Sequence, residues 1–380
     1  MTRTRTGGWF GIAAVAAGSF ATVLSEFLPI GTTGLMVVTT GLAAAVAAPA
    51  VAVTTSRLDR RTVLAGLSAV LVLADVVAAT AAAFPVLLVA RILVGVALGG
   101  FWAVGAGIAP RLLRAEDTIR GTSVITAGIS IATVVSLPLG ALVAATSTWR
   151  LAFVLGAALG LLALVLQLIA LPSIPSRERV RLVELLSLFG VPRARTGLVV
   201  AALLFAAQFA AYTFISPFLQ ETARISPAGI SAALLVFGVA GIAGNFVTGA
   251  ALARSVPATL VAGGLVLAAA VALLPLAAHL PIAVFALLVV WGLVWGGLPL
   301  GLQTWMVQAT PSVAEAGLAM FVTTLQVALA IGSTIGGVVV TSSGIAVDFG
   351  LAAVLALLGS AALVLLGLPV RRARVALAHR

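Results

Sequence analysis

Cysteine and lysine are both absent from this chain of 380 residues, and histidine occurs only at His279 and His379. Without cysteine there is no disulfide, no thiolate nucleophile and no thiolate metal ligand. Two histidines far apart in sequence give no metal-ligating cluster, and no cofactor motif is present, so neither metal nor cofactor is expected. Charge is scarce too: 8% of residues are charged, against about 25% in an ordinary soluble domain. With 62% hydrophobic residues, the chain lacks the polar surface needed to face water. It reads as an integral membrane protein whose natural partner is the lipid bilayer. Its apolar runs are long enough for helices rather than the shorter alternating segments of a barrel. The net charge of +11 comes wholly from arginine. In a soluble chain such a total would point to nucleic acid; here the placement of the charges explains it, and no nucleic acid partner is expected.

Cutting at charge and turn clusters leaves twelve apolar segments, at 9–31, 34–54, 63–82, 85–109, 122–144, 151–171, 197–217, 229–252, 258–278, 282–305, 316–341 and 347–369. Each meets or approaches the roughly 20 residues that a spanning helix needs. The N-terminus has a signal-like start, with Arg3 and Arg5 before an apolar stretch, but the run continues to about Ile30 and reads as an uncleaved first span. With both termini inside, one side receives Arg3, Arg5, Arg57, Arg60, Arg61, Arg111, Arg114, Arg120, Arg177, Arg179, Arg181, Arg193, Arg195, Arg254, Arg371, Arg372, Arg374 and Arg380. The other side keeps only Arg150 and Arg224, and Arg91 lies within a span. That asymmetry predicts a multi-pass protein of a bacterial-type cytoplasmic (inner) membrane, with the arginine-rich side cytoplasmic.

The longest connection, 172–196, is charged and bracketed by proline; Val180 to Phe189 predicts a short amphipathic surface helix. It divides the chain into an N-terminal six-span half (1–171) and a C-terminal six-span half with a short tail (197–380). Gly34–Arg61 has a counterpart in Gly229–Arg254, each running from an outer glycine through small residues to an inner arginine. Internal repeats of this kind occur in secondary transporters, although helices rich in Ala, Gly and Val also look alike by composition.

Within span four, Arg91, Gly95 and Gly99 fit R-x-x-x-G-x-x-x-G, and small residues four apart let helix backbones approach closely. Span five carries Pro138 and Gly140 in SLPLG, where a proline permits a kink that is either a gate or a fixed bend. Together with the loop TSRLDRRTVL (Arg57, Asp59, Arg60, Arg61) and the pair Trp149-Arg150 before Phe153, these motifs resemble the major facilitator superfamily, particularly its drug–proton antiporter branch. The segments SEFLPIG, LGGFWAVGAG, SVITAGISIATVVSLPLG, AAQFAAYTFISPF, FGVAGIAGN and WGLVWGGLPLGLQTW are similar to bacterial purine ribonucleoside efflux pumps and to related sugar and drug exporters. The resemblance spans nearly the whole chain and implies the major facilitator fold: all-α, twelve transmembrane helices in two pseudo-symmetric halves. Two departures stand out. About a dozen residues that follow the SEFLPIG segment in such pumps are missing before Thr32, Thr33 and Gly34, which brings Glu26 nearer the outer face. The loop motif has Ser56 and Asp59 where aspartate and glycine are common, so that Asp59 either takes over the carboxylate's role or leaves a weaker latch.

Glu26, Asp75 and Arg91 place charge inside spans, where it tends to mark a pathway. Glu26 is the candidate proton carrier, or else a carboxylate near enough to the interface to reach water. Asp75 and Arg91 stand at similar distances on either side of the turn at Phe84-Pro85, which predicts a buried ion pair between neighbouring helices. The resemblance implies that spans one, four, seven and ten line the cavity. That makes Trp102, Gln208, Tyr212 and Trp295 candidate substrate contacts, with Asn245 and Gln326 as further polar candidates. Aromatics stack on flat rings and amides bond to them, which suits a nucleoside; equally, such residues pack helices together. Trp9 and Trp305, near helix ends, are expected at the membrane interfaces. An enzyme would need a convergent catalytic set, and no span holds a histidine. What remains is a monomeric, proton-coupled exporter of small organic molecules, with a transport-deficient membrane binding or scaffold protein as the alternative.

Overall fold

The computed structural model describes residues 5–27, 34–146, 148–176 and 180–367. Within these, the long helices are α1 (Arg5–Phe27), α2 (Gly34–Thr54), α3 (Arg60–Ala79), α4 (Phe84–Gly105), α5 (Thr118–Thr146), α6 (Trp149–Ala170), α7 (Pro192–Thr213), α8 (Pro227–Leu252), α9 (Val256–Leu276), α10 (Pro281–Ala309), α11 (Ala314–Ser343) and α12 (Ile345–Ala362). Among the described residues, eleven helices are long and apolar enough to cross a membrane; α2 contributes a shorter apolar stretch, Thr39–Thr54. Residues 28–33, where the sequence is short, lie outside the described residues, as do Arg177, Arg179 and the arginines of the tail.

Local chemistry sets the helix starts. Asp59 caps α3 by accepting from the Arg61 amide, Ser226 caps α8 through the Gly229 amide, and Ser255 caps α9 through the Ala258 amide. Proline opens α7, α8, α9 and α10 within the first two positions, where its missing N–H is harmless. Gly344, at φ 93°, ends α11 in the left-handed region and lets α12 turn back. Several helices run longer than their apolar segments: α5 begins at Thr118 and α10 continues to Ala309, because polar ends lengthen a helix beyond the part that lipid selects. By contrast α7 stops at Thr213, where Phe214 leaves helical geometry before Ile215–Pro217 and the wide turn Phe218–Thr222. The surface helix of the long connection is present as Leu182–Ser187, with Leu182, Val183 and Leu186 outward. Other large apolar side chains are outward as well, including Ile282 at 87% and Ile169 at 78% exposure. In a bilayer such surface is solvated by lipid.

Packing repeats between the first six helices and the last six. α1 packs on α5 and α6, α2 on α4, and α3 on α4 and α6; six helices later, α7 packs on α11 and α12, α8 on α10, and α9 on α10 and α12. The two sets meet chiefly through α2 against α11 and α5 against α8. The closest approaches recur at one offset. A methyl on Gly95 would stand 2.5 Å from the Thr40 carbonyl oxygen, and one on Gly292 2.3 Å from that of Phe237. The same holds for Gly99 against Ala44 (2.3 Å) and Gly296 against Gly241 (1.9 Å). The resemblance between Gly34–Arg61 and Gly229–Arg254 is therefore matched in packing, and Gly95 and Gly99 are packing residues. Pro138 and Gly140 lie within α5, but their surroundings fall outside the described residues.

Candidate functional site

A cavity of about 800 Å³ lies between the two sets of helices, in the range of small-molecule sites. Of the six residues expected to meet substrate, Trp102, Gln208, Tyr212, Trp295 and Gln326 all line it. Trp295 is held edge-on by Phe205 (4.9 Å between ring centres) and Phe209 (6.1 Å), both also in the wall. Tyr212 packs on Phe237 and on the fully buried Trp291. Trp291 donates its Nε1–H to Gln208 Oε1 at 2.6 Å, which fixes the amide's orientation and leaves Nε2 as the group available to the cavity. Phe205, Phe209 and Trp291 have no polar or charged signature in the sequence to single them out.

Asn245 is the exception. It is fully buried outside the cavity wall: its Oδ1 accepts from Thr126 Oγ1 and its Nδ2 donates to the Ser123 carbonyl, each at 2.7 Å. Both ends of the amide are used in clasping α8 to α5, so it is a tie between helices rather than a substrate contact. Trp305 departs from expectation in the same way. It is buried, donates Nε1–H to the Arg193 carbonyl at 2.9 Å, and carries the Arg193 guanidinium over its ring at 5.2 Å. Trp9 is partly buried beneath Arg120.

Glu26 lines the cavity from the second half of α1, half-buried. Among the described residues it is the one carboxyl in the wall, and no arginine of that set lines the cavity. Behind it lie Asp75 and Arg91, both buried. They make no direct ion pair, contrary to the pairing expected from their equal depth, because Ser25 of α1 stands between them. Its hydroxyl donates to Asp75 Oδ2 at 2.7 Å, and its carbonyl accepts from Arg91 Nη1 at 3.0 Å. Gly156 of α6 makes room, since a methyl there would stand 2.7 Å from Asp75 Oδ2. The Arg91 guanidinium lies over the Phe153 ring at 5.1 Å, and its charge acts on both Asp75 and Glu26.

The arginine-rich end of the bundle is closed. Arg60, fully buried, forks onto Glu315 of α11: Nε donates to Oε1 at 2.6 Å and Nη2 to Oε2. Its remaining donors reach the Thr55 carbonyl (2.8 Å) and Ser176 Oγ (3.1 Å), and Arg111 adds a second cation 3.9 Å from Glu315. Asp59 does not join this latch. It holds the loop beside it, accepting from Ser173 Oγ and the amides of Ile174 and Arg61. Burial works against its charge, but the hydrogen bonds from Ser173, Ile174 and Arg61 and the charge of Arg111 hold the carboxyl below its usual range. Arg61 donates to the Leu168 carbonyl, and Arg57 is exposed. Further in, Thr323 of α11 donates to the Ala45 carbonyl of α2 at 2.7 Å. In the sequence Glu315 is only a charge ahead of a span; no local pattern ties it to Arg60, 255 residues away. The cavity instead reaches Ser231 and Leu235, in the first turns of α8 at the opposite end.

The family model for the Major Facilitator Superfamily matches residues 7–325. The chain belongs to this superfamily. A protein of Pseudomonas aeruginosa named transcription regulatory protein OpdE is 33% identical over 363 residues, covering 91% of this chain and 90% of that one. The purine ribonucleoside efflux pump NepI of Escherichia coli O6:K15:H31 is 30% identical over 351 residues, with 89% of each chain covered. Among solved structures, the human organic anion transporter MFSD10 aligns with a TM-score of 0.77 at 17% identity, covering 94% of this chain and 99% of its own. The E. coli fucose:proton symporter FucP aligns with the same score at 14% identity, over 96% and 98%. The fold is therefore that of major facilitators, and this superfamily member is a multi-pass membrane protein and a secondary transporter of small molecules rather than an enzyme.

Proposed function

We propose that this protein exports small uncharged molecules with flat aromatic faces, purine nucleosides foremost, in exchange for protons. Two halves, 1–171 and 197–380 joined by 172–196, rock about the central cavity, and the arginine-rich end faces the cytoplasm. One observation carries the reading: the Glu26 carboxyl shares a cavity with an aromatic and amide wall. A proton on Glu26 and a substrate against Trp295, Gln208 and Gln326 then occupy one space, and exchange of one for the other couples their movements. Phe205, Phe209, Tyr212 and Trp295 supply faces for stacking, and the glutamines bond to ring edges. A lining without arginine among the described residues weighs against anionic substrates, and the largely apolar wall weighs against sugars. The identity to a purine ribonucleoside efflux pump across most of the chain supports the substrate class.

The test is uptake of radiolabelled purine nucleosides into inverted vesicles under an imposed proton gradient. Uptake that needs the gradient and is abolished by Glu26→Gln, with the variant still stabilised by nucleoside, is the expected result. Gradient-independent uptake would overturn the proton coupling. A second reading is a non-transporting membrane sensor, favoured by the name of the P. aeruginosa relative. Thermal stabilisation by a ligand, with no uptake of that ligand under any gradient, would favour the sensor.

A further inference from the structure

Asp348 lies in the first turn of α12, is 0% exposed, and has no hydrogen-bond partner among the described residues for either carboxyl oxygen. Gly336 of α11 and Ala210 of α7 close over it. A methyl on Gly336 would stand 3.0 Å from Asp348 Oδ1 and 3.0 Å from the Ala210 carbonyl oxygen, another acceptor. The neighbouring Phe349 is fully buried against Phe218 (5.0 Å) and Trp291 (6.4 Å). α12 packs on α7, α9 and α11. The ionisable groups of α7 are Arg193 and Arg195 at the arginine-rich end and Tyr212 at the cavity; α9 has none; α11 has Glu315, engaged by Arg60. Glu221 and Arg224, beyond Phe218, are exposed. None of them pairs with Asp348.

The repeat sharpens the contrast. In the first six helices Asp75 receives the Ser25 hydroxyl and feels the charge of Arg91. At the offset that relates Gly95 to Gly292, Asp75 corresponds to Ala272 and Asp348 to Leu151, so the carboxyl of α12 has no counterpart in the first six helices. Asp348 therefore stands without the hydroxyl and the cation that Asp75 has. The N-terminal dipole of α12 favours the charged form, but less than burial without a cation or a donor disfavours it, so the group is retained neutral.

We propose that Asp348 is a proton-binding site in the last six helices, separate from Glu26 and occupied in this conformation. The site does not rest on the transport reading, since a proton bound to the folded bundle is measured whether or not a substrate moves. Its place between α7 and α11, both of which contribute to the cavity wall, means that movement of either helix opens the site and lets the proton leave.

The chain has four aspartates: Asp59, Asp75, Asp117 and Asp348. Asp59 is held ionised by its hydrogen bonds, and Asp117 is partly exposed. Infrared spectra of purified protein carrying carboxyl-¹³C aspartate in an Asp75→Asn background, at neutral pH, therefore isolate Asp348. An isotope-shifted carboxylic-acid C=O band that disappears in Asp348→Asn is the expected result. Absence of any isotope-shifted acid band means that Asp348 is ionised and overturns the proposal. Where Asp348→Asn does not fold, presence or absence of the band in Asp75→Asn alone decides. Where Asp75→Asn does not fold, the labelled unsubstituted protein minus Asp348→Asn decides in the same way.

Discussion

Glu315 stands at the first turn of α11, where a helix N-terminus favours an acid, and there it takes the fork of Arg60. Replacing Glu315 by glutamine leaves a fully buried guanidinium without its counter-charge. Removal of one member of a buried pair typically costs about 3–5 kcal/mol. The bundle has a less costly response than unfolding, because parting α3 from α11 lets Arg60 reach water. Glu315→Gln is therefore expected to lower the melting temperature and to make a cysteine placed at Thr323 reactive to maleimide. The chain has no cysteine of its own, so labelling has no background. Unchanged melting and an inert Thr323→Cys would show that the fork contributes nothing. Asp59 answers to pH with a definite sign. Its folded-state pKa lies below its usual value, so its stabilisation is complete above about pH 4. As the pH falls through the folded-state value, protonation favours the unfolded chain and that contribution is lost. The acid limb of melting temperature against pH should be shallower in Asp59→Asn than in the unsubstituted protein.

At the scale of helices, the repeated glycine contacts predict a repeated sensitivity. Gly296→Ala places a methyl 1.9 Å from the Gly241 carbonyl oxygen, and Gly99→Ala places one 2.3 Å from that of Ala44. Backbone cannot turn aside as a side chain can, so α8 and α10, or α2 and α4, must separate. A loss of about 1–3 kcal/mol is expected at each, read as lowered melting temperatures for both variants. A methyl on Gly66 of α3 would meet nothing within 4 Å, and Gly66→Ala should be neutral or stabilising, by about 0.5–1 kcal/mol. The helices themselves are legible in the sequence, because twelve apolar lengths separated by arginine and turn residues admit few other readings. Which face of each helix meets what is less legible. A soluble helix reveals its buried face by an apolar stripe, whereas one that is apolar all round does not. Hence residue type and span number lead to Trp102, Gln208, Tyr212, Trp295 and Gln326, which line the cavity, but misplace Asn245 and Trp305, which tie helices together. Likewise, spacing from the Phe84-Pro85 turn gives the depth of Asp75 and Arg91, but not the third helix whose Ser25 parts them.

For the molecule as a whole, the ties described between the first six helices and the last six lie toward one end. Arg60 to Glu315, Asn245 to Thr126 and Ser123, and Thr323 to the Ala45 carbonyl all stand on the arginine-rich side of the cavity. The opposite side has the cavity mouth at Ser231 and Leu235. In a two-state rocking motion these ties are made in one state and broken in the other, so their removal shifts the population by the free energy each contributes. Single cysteines at Ser231 and at Thr323 report the two ends; Thr323→Cys gives up the bond to the Ala45 carbonyl, so its labelling is compared only between backgrounds that both carry it. In the unsubstituted background, Ser231→Cys should label readily and Thr323→Cys slowly. Asn245→Ala removes two buried hydrogen bonds of roughly 1 kcal/mol each, which corresponds to about a tenfold or greater shift toward the state open at the arginine-rich end. In that background Thr323→Cys should gain reactivity and Ser231→Cys should lose it. The reciprocal change is the decisive feature: local loosening around Asn245 would raise labelling at Thr323 alone, whereas rocking of the two halves must lower one rate as it raises the other.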